Sequence, residues 1–223
     1  MATSDREAIL KRHRRKNFAR ATGRSQKTLL RRSPAEMLPP ASRGTAEVFG
    51  FDDAKALIAK GRLSGPQIDD LLRMPYEHPA NGEAALYGLT FVKVQRRNSD
   101  RIVRSLIEIL NDKQLDAAVR AQAPEGIGVH IRPKRRALRR VAVTALRRQL
   151  QDESPEVRFW SAFGLAMLNA REARCDLRFL QADNAVVSGW WTVGDEASDA
   201  LDLIEGRDPP DRRPHRPQGE GSA

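Results

Sequence analysis

The chain has 223 residues, of which 40% are hydrophobic and only 5% aromatic, and a formal net charge of +10. That length and apolar content suffice for one packed domain resting on Leu, Ile, Val and Ala, which suits thin stacked helices better than a β-sandwich. A single cysteine, Cys175, excludes an intrachain disulfide, and with no long apolar run or secretory core segment the expectation is a cytoplasmic protein without a membrane span.

The charge is unevenly placed. Residues 1–45 carry about twelve Lys and Arg against three acids, roughly +9, while the remainder is nearly neutral. Clustered arginines mixed with Ser, Gly and Pro offer too little apolar surface to offset ordering entropy, so this tail is expected to be disordered. Within it, Lys11, Arg12, Arg14, Arg15, Lys16, Arg31 and Arg32 are candidates for a salt-dependent polyanion contact. Phe18 is the one aromatic there for base stacking, so such a contact would be weakly sequence-specific. An address or solubilising role stays open, and a transit-peptide composition is opposed by Asp5 and Glu7.

Helical patterning fills residues 46–206. Ala54, Leu57 and Ile58 share a face before Gly61; Ile68, Leu71 and Leu72 form the next, after Gly65-Pro66, and Pro75 should close it. A helix over 82–94 follows. The segment 100–110 then pairs with 115–131, which Pro124 should kink or break. The third pair is 137–150 with 156–168, where Pro155 suits a first turn and Ser154 its cap. The fourth is 171–180 with 191–204, separated by a turn at Asp183-Asn184 and an insertion through Gly189. Gly206 and Pro209-Pro210 end it, and 207–223 reads as a polar disordered tail.

Four stretches repeat one spacing: Ala85-x-x-Gly88-Leu89, Ala123-x-x-Gly126-Ile127, Ser161-x-x-Gly164-Leu165 and Ala197-x-x-Ala200-Leu201. Their period of roughly 36 to 38 residues belongs to repeated helical hairpins. Two small residues on one helical face let a partner helix come close while the aliphatic side chain fills the seam. The expected fold is all-α, a short α-solenoid of about four hairpins.

The segment from Asp152 to Ala166, Asp-Glu-Ser-Pro-Glu-Val-Arg-Phe-Trp-Ser-Ala-Phe-Gly-Leu-Ala, resembles a HEAT repeat of the bacterial phycobilisome-lyase-like type. In that family a turn Asp precedes a Val-Arg pair opening the second helix; here Val119-Arg120 follows Asp112 and Val157-Arg158 follows Asp152. The resemblance covers about residues 66–205 and departs from the pattern in the fourth unit, where Asp183 is kept but Gly194 stands in place of the Arg. It implies a scaffold whose second helices line a concave face. Some HEAT-like proteins attach bilins and another group excises alkylated DNA bases, but the repeat alone implies neither activity.

No metal or cofactor is expected. His13, His78, His130 and His215 are isolated from each other and from Cys175, and Gly126-x-Gly128 falls in a helix, without the strand-turn context of a dinucleotide fingerprint. Cys175 reads as a small, partly buried hydrophobe, and Asp152 with Glu153 and Asp195 with Glu196 as helix-start caps. Arg120 and Arg158 either hold adjacent hairpins in register through turn carboxylates or touch a partner. Trp190 and Trp191 either cap the last repeat or anchor a ligand, and Trp160 either packs or lines a groove. Arg136, Arg140 and Arg147 form a cationic stripe. The leading expectation is a non-enzymatic scaffold gripping a protein partner, the basic tail adding electrostatic contact. The alternatives are a nucleic-acid binder using the tail and the Arg135–Arg148 helix, or a HEAT-like enzyme with Trp190, Trp191 and Asp195 at its site.

Overall fold

The computed structural model describes residues 49–132 and 134–212. The basic candidates from Lys11 to Arg32 lie outside the described residues.

Nine α-helices fill the described chain: α1 (Phe51–Lys60), α2 (Gly65–Glu77), α3 (Pro79–Phe91), α4 (Arg96–Asn111), α5 (Ala117–His130), α6 (Arg136–Gln149), α7 (Pro155–Met167), α8 (Arg174–Leu180) and α9 (Val193–Glu205). Among the described residues the extended pairings are two isolated bridges, Arg62 with Lys93 and Val186 with Thr192. Hairpins α2/α3, α4/α5, α6/α7 and α8/α9 stack in a row, with second helices α3, α5, α7 and α9 packed side by side and α1 against α3. The molecule is all-α, a short helical solenoid.

The small-residue triplets are where this stacking happens. Ala85, Ala123, Ser161 and Ala197 are all fully buried, and so are Leu89, Ile127 and Leu165. A Cβ on Gly126 would overlap Leu106 of its own hairpin and Thr90 of α3; one on Gly164 would crowd Leu146 of its hairpin and the Pro124 carbonyl of α5. Gly126 and Gly164 therefore each sit where one helix meets both its hairpin mate and the preceding second helix, whereas Gly88 faces Ala54 of α1. One core runs through all the hairpins, from Ile68 and Leu86 to Leu177 and Val193.

The helix ends follow local chemistry. Ser64 and Gln67 form a reciprocal cap on α2, Thr192 and Asp195 another on α9, and Gly206 closes α9 in the left-handed region with φ 80°. Ser154 does occupy the cap position of α7, but its hydroxyl makes no cap bond; its backbone N–H instead donates to Asp152 Oδ1 at 2.9 Å.

Neither interior proline ends its helix. Pro75 does not close α2, which continues to Glu77, and Pro124 does not break α5, which runs through to His130. Each ring forfeits one backbone bond, but α5 is packed between α3 and α7, and Pro124 is buried in that layer. Tertiary packing outweighs a local helix penalty of ~3 kcal/mol.

Gly194 has a physical reason to replace the expected arginine. A Cβ there would overlap the Gln181 carbonyl oxygen, and its own N–H donates to Asp183 O at 2.8 Å. The start of α9 thus lies directly on the turn before it. Gly194→Ala is expected to cost about 1–3 kcal/mol through this overlap; urea denaturation reading the same midpoint as wild type would show that the approach is not this tight.

Candidate partner-binding site

Each hairpin turn of units two to four is built on an aspartate accepting from the backbone two residues on: Asp112 from Gln114, Asp152 from Ser154, and Asp183 from Ala185. The second-helix arginines reach across to the next such turn. Arg120 Nη1 donates to Asp152 Oδ2 at 2.6 Å, with both side chains buried. Arg158 Nε donates to Asp183 Oδ2 at 2.7 Å, and its Nη1 also binds the carbonyls of Asp152 and Glu153. Lys113 is a second donor to Asp152. Burial alone would raise the Asp152 carboxyl, but hydrogen bonds from Arg120, Lys113 and the Ser154 N–H prevail and hold it at about 2. The ladder therefore links unit two to three and three to four, and stops at Gly194.

This assigns Arg120 and Arg158 to register. Arg120 is 7% exposed with its guanidinium occupied, which leaves it little free surface. Trp191 is likewise covered: it is 2% exposed, and its indole N–H donates to Glu196 Oε2 at 2.9 Å. Trp190 is half-buried over it, with ring centroids 5.5 Å apart. Cys175 is exposed on α8, since its neighbours Ala173 and Leu177 take the core positions.

The surface left by the second helices has a distinct chemistry. Counting from each triplet's first small residue, the positions one before and two after share a face one turn apart. They hold the partly exposed Tyr87 on α3, Gln122 and Glu125 on α5 and Trp160 on α7, with Ala84, Phe163, Glu196 and Asp199 buried beneath. Glu83 and Glu156 lie beside them: Gln122 donates to Glu83 Oε1 at 3.4 Å, and burial, then the charges of Glu156 and Asp116, raise the Glu83 carboxyl. Burial, then the charge of Glu125, pushes the Tyr87 phenol up to about 12. Trp160 meets Phe163 and Trp190 edge to face, and Tyr87 meets Phe91 at 4.9 Å. Among the described residues the only Lys or Arg on these four helices are the two ladder arginines. The face is acidic and aromatic.

At its C-terminal end lies a cluster that the sequence reading dispersed. Glu196 and Asp199 are fully buried on α9, and Glu196 Oε1 and Asp199 Oδ2 have no hydrogen-bond partner. Burial, then the charge of Asp199, holds the Glu196 carboxyl well above its usual range; burial raises Asp199 to about 7 against the opposing pull of Arg212. Arg212 folds back so that Nε donates to Asp199 Oδ1 at 2.8 Å and Nη1 to Asp195 Oδ1 at 2.5 Å. Residues 207–212 therefore do not all belong to a disordered tail. The pairing escaped sequence reading because Arg212 is separated from its partners by the Pro209-Pro210 turn. The legible signal was two acids, Glu196 and Asp199, at positions that the third unit fills with Trp160 and Phe163.

The opposite face, made by first helices, is cationic. On α6, Arg147 pairs with Asp176 and Arg139 with Glu172, whereas Arg136, Arg140 and Arg148 are exposed without an ion pair among the described residues. The predicted stripe is thus partly neutralised. Phe179 projects from α8, 84% exposed, and with Arg147, Arg148 and Asp176 lines a shallow groove of about 480 Å³. Among the described residues no cluster of metal-binding side chains occurs, and no helix is long and apolar enough to cross a membrane.

Comparison with protein-family models, with curated proteins and with solved structures gives no match for this chain.

Proposed function

We propose that this protein is a non-catalytic HEAT-like scaffold that binds a protein partner through the face of its second helices. The observation that supports this reading is the segregation of that face: aromatic side chains centred on the half-exposed Trp160, flanked by Glu83, Glu125 and Glu156, with every second-helix Lys or Arg consumed by the ladder. Interfaces draw affinity from a few desolvated aromatic anchors within a polar rim, and Trp160 with Trp190 has that composition. The acidic rim selects a basic partner segment and repels polyanions.

Capture from the native cell with full-length baits tests it. Trp160→Ala is expected to weaken the main bound protein by about 2 kcal/mol, roughly 30-fold. Glu156→Lys should do so through charge, with less packing disturbance. A bound protein indifferent to both substitutions removes the face from consideration.

A second reading is favoured by one observation, the exposed Phe179 beside Arg148 on the first-helix face, since aromatic and arginine side chains together stack on and neutralise single-stranded nucleic acid. Binding lost on substituting Arg136, Arg140 and Arg148, and falling steeply with salt, would favour this reading over the scaffold.

A further inference from the structure

We propose that the acidic second-helix face is a docking surface for the chain's own arginine-rich N-terminal segment, residues 1–45, held there in cis until a partner displaces it. The inference rests on reading that face as the binding surface.

Charge complementarity is the first support. The segment carries about twelve Lys and Arg against three acids, and the face presents Glu83, Glu125, Glu156 and Asp195 with no unpaired cation of its own among the described residues. Guanidinium groups bind carboxylates in a forked geometry that a half-buried acidic surface rewards.

The second support is the path of the chain. Phe49 packs on the core at the start of the described residues, and the Phe51 ring lies edge-on to Tyr87 at 5.5 Å. The described chain therefore enters α1 beside Tyr87, at the α3 end of this face. An extended segment of that length reaches well beyond the ~30 Å that four helices spaced ~10 Å apart span.

Third, the far end of the same face already holds a cation contributed by a chain extremity. Arg212 crosses from beyond α9 to Asp195 and Asp199. The N-terminal arginines would repeat at Glu83, Glu125 and Glu156 what Arg212 does at the other end. Tethering gives such a segment an effective concentration on the order of millimolar, so a partner must bind more strongly or bring its own basic segment. The tail then sets the threshold for partner entry.

Paramagnetic broadening in the full-length protein reads the contact directly. A nitroxide is attached at Ser25→Cys, with the exposed Cys175 changed to Ser. Amide signals of Glu83, Glu125 and Trp160 are expected to lose intensity about twofold or more at low salt and to recover near ~0.5 M salt, where screening is short-ranged. Replacing Glu83, Glu125 and Glu156 together by Gln should abolish the effect. Replacing Arg12, Arg14 and Arg15 by Gln should weaken it without touching the folded body. Broadening that is uniform, that falls on α4 and α6, or that ignores both sets of substitutions overturns the proposal. The measurement needs no partner, so failure to capture one leaves its outcome unaffected.

Discussion

Arg120→Ala is expected to destabilise the protein by about 3–5 kcal/mol, because it leaves the Asp152 carboxylate buried without its buried cation. The Asp152 side chain has no exposed surface, so water cannot replace the guanidinium. Lys113 and the Ser154 N–H remain as donors, which places the loss nearer the lower bound. Arg158→Ala should cost less, since Asp183 and Arg158 are each partly exposed and water takes up the released groups. Urea denaturation of Arg120→Ala, Asp152→Asn and the double variant measures the coupling, expected to exceed about 1.5 kcal/mol. An additive cycle would mean that the pair does not hold units two and three in register. The same carboxyl has a pH signature. Its folded value of about 2 lies below the ordinary 3.8, so its contribution is present above that value and fades as pH falls towards 2.

Much of this was written in the order of residues. Ala85, Ala123, Ser161 and Ala197 recur because only small side chains fit where three helices converge, and that constraint is periodic, so it can be read without coordinates. The Asp-to-Arg spacing was legible for the same reason: Asp152 and Asp183 must each sit one turn motif ahead of their helix and within reach of the preceding arginine. The proline expectations failed because they weighed a local bond against nothing; the competing term, burial of Pro124 between neighbouring second helices, is a long-range quantity. The burial of Trp191 was hidden in a related way. A loop position predicts exposure, but the Val186–Thr192 bridge turns the loop back and delivers the indole to Glu196. What sequence could not supply at all was the sidedness of charge. The near-neutral sum of residues 46–223 hides that the fold sends arginines to α4 and α6 and leaves acids on α3, α5, α7 and α9. Sidedness, not sum, decides which partner each surface admits.

Glu196→Gln is expected to raise stability by about 1–3 kcal/mol at pH 8 and to change it little at pH 5. Glu196 and Asp199 are fully buried one helical turn apart, each with one oxygen lacking a partner; Arg212 donates to Asp199 and acts on Glu196 only as one of the weaker, opposing charges. Burial raises both carboxyls, Asp199 to about 7 and Glu196 well above its usual range. The folded state therefore holds their protons more tightly than the unfolded chain does. Their stabilising contribution is complete below the ordinary carboxylate range and is lost as pH rises through about 7, opposite in sign to that of Asp152. A glutamine keeps an oxygen to accept from Trp191 and has no charge to bury, so the loss at high pH should largely disappear. Urea midpoints at pH 5 and pH 8 check this directly. Wild-type protein equally stable at both values, with the Gln variant no better at pH 8, would show that these acids are hydrated.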